Sequence, residues 1–346
     1  MRLDKYSYFL PEKNLALEPA DPRDSSRLFI YDTKKDSIVF NYFYNLHKYL
    51  PKNSFLVLNN TKVLPARVVM KKSTGGKIII LFLINEFPSL PIVRVMADRK
   101  VKVGDFLYFD KENYLKVIDQ KEHFFDLKFN FSREKLLDLL RKYGTMPIPP
   151  YLKKSPLSRD DLLKKYQTIF AKEEGSSAAP TASLHFTNGV FDKIKKEGIN
   201  KYFITLHVGL GTFAPIDEEN IRQKKLHQEY FKVDSKILQS INRLKQEGKK
   251  LIAVGTTVVR TLESEAWDGP RVPSLQKTDL FIFPPYDFRM VDVLITNFHL
   301  PRSSLMMLVE AFLQFKGAKK NLVELYNIAI KNNFYFYSFG DAMIIL

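Results

Sequence analysis

Beyond about residue 160 the chain alternates short apolar runs with stretches of helical period, a pattern that buries itself as helices packed on a sheet. The apolar runs fall at 203–206, 251–254 and 293–296. Between and around them, Asn188–Lys196, Ser235–Gln246, 256–266 and Ser304–Phe315 read as amphipathic helices. Strand–helix alternation of this kind predicts an α/β arrangement with a mainly parallel sheet. Residues from about 68 to 145 follow another rule. Short strands at 77–84, 91–97, 105–109, 114–118 and 123–131 are separated by turn residues such as Gly75-Gly76 and Val103-Gly104-Asp105. The last alternates clearly, with Phe125, Leu127, Phe129 and Phe131 on one face. That spacing predicts a small antiparallel barrel or sandwich. An earlier apolar run, Phe55-Leu56-Val57-Leu58, ends at the polar turn Asn59-Asn60-Thr61-Lys62, and Pro147-Ile148-Pro149-Pro150-Tyr151 makes a stiff exit from the β-rich stretch. The expected fold is therefore a main α/β domain, residues 1–66 and 147–346, with an inserted small antiparallel β-barrel domain, residues 67–146.

A chain of 346 residues that is 45% hydrophobic is long and apolar enough for sizeable cores, which excludes wholesale disorder. The absence of cysteine removes disulfides, thiolate zinc sites and a cysteine nucleophile together, and fits a reducing compartment. Neither a signal-peptide core after Met1-Arg2-Leu3-Asp4-Lys5-Tyr6 nor an apolar run near the roughly 20 residues of a membrane span is present, so a soluble, cytoplasmic protein is expected. The formal net charge of +16 rests largely on scattered lysine, usually a solvated surface. An excess this large nevertheless favours a polyanionic partner, nucleic acid above all.

Chemistry gathers in a few segments. Ala178-Ala179-Pro180-Thr181-Ala182-Ser183-Leu184-His185-Phe186 is small, apolar and uncharged inside a basic chain. Small residues admit close approach of backbone to a ligand, and Thr181, Ser183 and His185 add a few polar atoms, the make-up of a substrate pocket. A buried connector with a satisfied histidine is the plainer alternative. Three apolar runs also end alike: 203–206 in His207-Val208-Gly209-Leu210-Gly211-Thr212, 251–254 in Gly255-Thr256-Thr257, and 293–295 in Thr296-Asn297-Phe298-His299-Leu300-Pro301. Ligands of open α/β sheets lie beyond the carboxyl ends of the strands. If these strands are parallel neighbours, His207, Thr212, Thr256, Thr257, Asn297 and His299 share one rim.

The helix after Gly255 offers free N–H groups to an anion, with Arg260 one turn in as a clamp. The alternative is an N-cap threonine and an Arg260–Glu263 pair. His227-Gln228-Glu229 places an imidazole and a carboxylate on one face of an extended segment, suited to orienting a proton-transfer histidine or fixing a hydroxyl. Gly209-Leu210-Gly211-Thr212-Phe213-Ala214 matches the dinucleotide fingerprint formally, but Pro215 delays the helix that it requires. The histidines lack any recognised metal-ligand spacing, and no metal is expected.

Taken in order, Pro22–Leu28 (Pro-Arg-Asp-Ser-Ser-Arg-Leu), Asn59–Arg67 (Asn-Asn-Thr-Lys-Val-Leu-Pro-Ala-Arg), Pro149-Pro150-Tyr151, Tyr166-Gln167-Thr168, the 178–186 segment, 205–213, 255–263, 296–301 and Ser338-Phe339-Gly340-Asp341-Ala342-Met343 resemble the S-adenosylmethionine:tRNA ribosyltransferase-isomerase family of queuosine biosynthesis almost end to end. The resemblance implies transfer of the ribosyl part of S-adenosylmethionine to the aminomethyl group of a 7-deazaguanine at the tRNA wobble position. The ribose is isomerised to an epoxycyclopentanediol, and adenine and methionine are released. It implies an α/β domain with a β-barrel set into it, S-adenosylmethionine as co-substrate, and no metal or redox cofactor. Lys224 stands where the family's H-x-M-H-x-E motif has its first histidine, Ser183 where glycine is common, and Pro285 where Phe283-Pro284-Pro285-Tyr286 usually carries glycine.

The implied chemistry begins with removal of a proton beside the sulfonium. His185, His207, His227, Glu229 and His299 are the candidate acids and bases, imidazole titrating near neutrality. His185 or His207 is expected as first base, Glu229 as a group orienting a histidine or holding a ribose hydroxyl, and Asn297 with His299 as stabilisers of departing adenine. Arg67, Arg260 and Asp341 are expected to bind substrate, Asp341 through an amine, together with Thr181, Gly209, Gly211, Thr212, Thr256, Thr257 and Thr296. A monomer is expected. A tRNA-binding protein without chemistry and a metal-dependent hydrolase are the alternatives; the first predicts RNA binding without use of S-adenosylmethionine, the second activity lost to chelator.

Overall fold

A computed structural model describes residues 3–84, 91–121, 124–209, 216, 218–268 and 275–346. The strands run in chain order β1 Arg27–Asp32, β2 Ser37–Tyr42, β3 Ser54–Asn59, β4 Thr61–Val63, β5 Arg67–Lys72, β6 Lys77–Phe82, β7 Ile92–Ala97, β8 Phe106–Tyr108, β9 Tyr114–Lys121, β10 Phe124–Phe129, β11 Gly144–Thr145, β12 Glu173–Ser176, β13 Asn200–His207, β14 Lys225–Lys232, β15 Lys250–Val254, β16 Gln276–Leu280, β17 Val293–Asn297 and β18 Ala342–Ile345. The α-helices are α1 Arg133–Tyr143, α2 Arg159–Lys165, α3 Asn188–Lys196, α4 Glu218–Gln223, α5 Ser235–Gln246, α6 Thr256–Asp268, α7 Ser304–Phe315 and α8 Leu322–Lys331.

Nine strands form the main sheet in the order β16-β14-β13-β3-β15-β17-β18-β1-β2. Its centre, β13-β3-β15-β17, is parallel throughout. β3 and β17 are buried along their whole length, as expected of strands covered on both faces. The helix periods seen in the sequence match α3, α5 and α7 end for end, and each starts on a side-chain cap, Thr187, Asp234 and Ser303 respectively. The sheet is less parallel than the sequence suggests. Outside the centre, β14, β16 and β2 join by antiparallel ladders and β18 runs against β17. β1 and β2 are joined by the short turn at residues 33–36, too short for the crossover that a parallel pair needs.

The second sheet runs β11-β5-β6-β7-β10-β9-β8, and β8 pairs back onto β5. Six antiparallel strands thus close into a barrel. Its interior is filled by alternating residues such as Val68, Met70, Ile78, Ile80, Phe125, Leu127 and Phe129. Leu136 and Leu140 of α1 join the same core. Phe131, expected to continue the alternation, lies one step past β10 and is only partly buried; His123, expected to begin that strand, lies outside the described residues. Among the described residues no helix is long and apolar enough to cross a membrane.

Candidate active site

Because β13, β3, β15 and β17 are parallel neighbours, their carboxyl ends deliver Leu206-His207, Asn59-Asn60, Val254-Gly255 and Thr296-Asn297 to one rim. The 178–183 segment lies across that rim. Ser177 N–H donates to the Val208 carbonyl at 2.9 Å, and Val208 N–H donates to Ser176 Oγ at 2.9 Å. Thr181 Oγ1 donates to Asn297 Oδ1 at 2.8 Å. Gly255 leaves β15 with φ of +94°, a conformation that favours glycine, and turns the chain into α6. The result is a small pocket with a cavity volume of about 70 Å³, open on one side to solvent. Its walls are the backbone and methyl groups of 178–182, Val208, the first turn of α6 at Thr256 and Thr257, and Thr296, Asn297, Phe298 and His299. Tyr151, Tyr337 and Ser338 close the remaining side. Small apolar walls with a few convergent polar groups make a small-molecule site, and the first N–H groups of α6, having no intrahelical acceptor, face it.

The imidazoles are neutral at pH 7, each for the same main reason. His185 is buried, and its pKa is pushed down to about 4 by burial and then by the charge of Arg23. Its Nδ1 pairs with Ser26 Oγ at 2.8 Å and its Nε2 with Asn297 Nδ2 at 3.4 Å. The ring thus stands behind Asn297 instead of in the pocket wall. His207 is lowered to about 4 by burial and by the charge of Arg133. Its Nδ1 meets Thr61 Oγ1 at 2.8 Å, which leaves Nε2 without a hydrogen-bond partner among the described residues. His299, in the pocket wall, is lowered to about 3 by burial, with Nε2 on Thr296 Oγ1 at 2.9 Å. Its backbone is fixed twice: the N–H donates to Tyr326 Oη at 2.9 Å, and the carbonyl accepts from the Tyr8 hydroxyl.

Two expectations and one of the plainer alternatives fail on geometry. Glu229 does not orient His227. A bulge between Lys225 and Glu229 breaks the register of β14, His227 is exposed, and Glu229 is buried. The Glu229 carboxylate instead accepts from Arg260 Nη1 and, at 2.9 Å, from the Gly209 N–H. Arg260 pairs with Glu229 across the fold, and not with Glu263 on its own helix, whose carboxylate takes the N–H groups of Arg289 and Met290 at 3.0 Å each. Asp341 does not face the pocket: its oxygens accept from Arg27 N–H at 2.7 Å and Tyr335 N–H at 2.8 Å. Burial raises its pKa to about 6 against the opposing effect of those two N–H groups. Arg67, half-buried at the start of β5, has its pKa lowered by burial and no carboxylate partner among the described residues. Gly211 and Thr212 lie outside the described residues.

Other rim residues were given no role in the site by the sequence, although Asn59, Tyr151 and Ser338 fall in segments that carry the resemblance. Asn59 is fully buried, takes the N–H groups of Thr61 and Leu206 on Oδ1 at 3.1 and 3.0 Å, and donates from Nδ2 to the Leu206 carbonyl at 2.9 Å and Thr257 Oγ1 at 3.2 Å. It stitches the ends of β3 and β13 to α6. Tyr151 Oη bonds Ser338 Oγ at 2.7 Å, and Tyr337 sits in the left-handed region, φ +73°, with its ring 4.8 Å from that of Tyr151. A polar residue straight after an apolar run was the available signal for Asn59; nothing local marks Tyr337. Among the described residues no group of three or more His, Asp or Glu is placed to hold a metal.

An open α/β sheet with a small-molecule pocket at the carboxyl ends of its parallel strands, and a closed barrel beside it, defines the class. The family model for queuosine biosynthesis proteins matches residues 3–345, and the chain belongs to that family. The S-adenosylmethionine:tRNA ribosyltransferase-isomerase of Thermosipho melanesiensis is 42% identical over 346 residues, covering 100% of both chains. That of Halothermothrix orenii is 41% identical over 349 residues, again covering 100% of both. The crystal structure of an S-adenosylmethionine tRNA ribosyltransferase from Thermotoga maritima is 32% identical, covers 99% of this chain and 100% of its own, and superposes with a TM-score of 0.53.

Proposed function

We propose that this chain is an S-adenosylmethionine:tRNA ribosyltransferase-isomerase. It transfers and isomerises the ribosyl moiety of S-adenosylmethionine onto the aminomethyl group of 7-aminomethyl-7-deazaguanine at the tRNA wobble position, giving epoxyqueuosine-tRNA, adenine and methionine. S-adenosylmethionine is the co-substrate. The observation that carries the reading is the coincidence of end-to-end kinship with a pocket walled by six of the segments that carry the resemblance. We assign the work to the cytoplasm and to a monomer, with residues 67–146 as a separately packed insert in the α/β part, residues 1–66 and 147–346.

Neutral imidazoles suit the first step, since a base must arrive without its proton. Of the two expected first bases, His207 keeps Nε2 uncommitted, while His185 spends both nitrogens on Ser26 and Asn297. We therefore give His207 the proton beside the sulfonium, whose positive sulfur stabilises the electron pair left behind, and His185 the positioning of Asn297. Asn297 and His299 face the departing adenine, which leaves with the glycosidic electron pair. The pair left beside sulfur expels the ribose ring oxygen, whose own pair makes a carbonyl at the carbon that adenine leaves. The tRNA amine adds to the resulting vinyl sulfonium and gives up a proton. The renewed carbanion closes on the carbonyl carbon, and the alkoxide so formed closes the epoxide by displacing methionine, which leaves with the sulfur electron pair. Thr181, Thr256, Thr257 and Thr296 line the way for S-adenosylmethionine, and Gly209, Gly211 and Thr212 keep the substrate-binding role that the resemblance implies. Glu229 and Arg260 hold the turn at Gly209. Arg67 and the exposed His227 are left to the RNA.

The test uses labelled S-adenosylmethionine and tRNA carrying the aminomethyl-deazaguanine, with chelator present. Label entering tRNA together with stoichiometric adenine supports the assignment. Tight tRNA binding without either product refutes it.

A further inference from the structure

Aromatic side chains lead away from the pocket along two neighbouring segments, 334–337 and 40–44. Tyr337 is in the pocket wall, and two residues earlier Tyr335 is 49% exposed. Gly340 permits this turn, because a Cβ there would come within 2.5 Å of the Tyr335 carbonyl oxygen. The Asp341 carboxylate ties Tyr335 N–H to Arg27 N–H, so the two segments are neighbours. The Arg27 guanidinium lies 4.0 Å over Phe334 and 5.8 Å from the Phe40 ring. Next to it, Tyr42 is register partner of Arg27 and stacks on Tyr44 with rings 5.4 Å apart and 6° from parallel. Lys193 Nζ caps the Tyr44 ring at 5.5 Å.

Sheet register ties this edge to the site. Asn297 pairs with Ala342, Ala342 with Leu28, and Leu28 with Asn41. Three strand spacings put Tyr42 ~14 Å from the pocket rim, about four base steps of a nucleic acid strand. Single exposed aromatics are ordinary on a protein surface. A series of them interleaved with cations, on a chain of net charge +16, fits an unpaired polyanion with flat bases.

We propose that this track, from Tyr337 through Tyr335 and Phe40 to the Tyr42–Tyr44 pair, is where unpaired bases of the tRNA loop stack while their neighbour enters the pocket. The proposal rests on the function assigned above and adds the surface by which the loop, as opposed to paired RNA, is selected.

Tyr42→Ala and Tyr335→Ala test it through anisotropy titrations with a short RNA hairpin bearing an unpaired loop and with a fully paired duplex of equal length. Each substitution weakens hairpin binding about tenfold, leaves duplex binding unchanged, and raises KM for tRNA with kcat intact at saturation. Hairpin affinity and KM within twofold of wild type for both variants overturn the track. So does a wild-type dimer that Tyr42→Ala converts to monomer with RNA binding unaltered, because the exposed edge strand β2 would then serve self-association. Wild-type protein that releases no adenine would defeat the enzymatic reading by itself, and the hairpin-to-duplex comparison would still decide the track.

Discussion

The barrel and the pocket rim solve the same packing problem with opposite materials. Barrel residues such as Val68, Ile80, Val95, Leu115 and Leu127 are fully buried and apolar, and satisfy themselves by contact alone. The rim buries Asn59, Thr61, His185, Thr296, Asn297 and His299, polar groups that stay buried because each finds a specific partner. Contact packing is tolerant of sequence and indifferent to pH. A buried polar network is neither, and its members are held in fixed protonation states and orientations. Stability should therefore respond to the barrel and catalysis to the rim, with the buried Glu229–Arg260 pair as the place where both respond.

That pair is the sharpest way to break the contrast. Glu229→Leu alone should destabilise by about 3–5 kcal/mol, because it leaves the buried guanidinium uncompensated. Adding Arg260→Met should recover much of that in denaturant titrations without restoring turnover, since Gly209 N–H stays without its acceptor. A double variant no more stable than the single one contradicts this. Leu127→Ala in the barrel follows at about 2–5 kcal/mol, with kcat per folded molecule unchanged. A hundredfold loss of kcat there would mean that barrel and rim are one mechanical unit.

His207→Ala should lower kcat about a hundredfold with melting temperature near that of wild type. Counted per imidazole, the pH effect is smaller still. The folded imidazoles titrate at about 4, 4 and 3 against an ordinary 6.5. The unfolded chain therefore binds more protons below 6.5, and stability, full above that value, falls as pH drops towards 4, by roughly 1–2 kcal/mol per imidazole at pH 5. Asp341, raised to about 6, works in the opposite sense and offsets part of the loss, since its stabilisation is lost as pH rises through 6. Turnover should accordingly show no ionisation of His185, His207 or His299 near 6.5. Ser26→Ala is the mildest change: it removes the hydrogen bond on His185 Nδ1, for about 1 kcal/mol of stability and a small drop in kcat with KM for S-adenosylmethionine unchanged.

The contrast also explains what the sequence made legible. Periodicity reports contact packing, so five of the six barrel strands, β6 to β10, and the helices α3, α5 and α7 could be read from it, while β5 was not. Thr256, Thr257, Asn297 and His299 meet in one pocket wall as the rule about strand ends expects, the parallel ladders of β13, β3, β15 and β17 supplying the adjacency, whereas His207 ends β13 without being one of the pocket's lining residues. Partners across the fold leave no periodic trace. Ser26 meets His185 from 159 positions away and Thr61 meets His207 from 146. The local pairing expected for His227 and Glu229 failed because a bulge in β14 turns that segment out of register with its neighbour. Asp341 reads as a free carboxylate until its two backbone donors are seen, both contributed by segments remote from one another in the chain.

The most direct measurement is single-turnover adenine release from labelled S-adenosylmethionine and modified tRNA, run on wild type, His207→Ala and Asn297→Ala, with tRNA affinity measured alongside. The account predicts adenine and labelled tRNA appearing together in the wild type, with a loss of about a hundredfold in each variant at unchanged tRNA affinity. Turnover within about tenfold of wild type in both variants would contradict it, because the buried rim would then be holding the fold and not the chemistry.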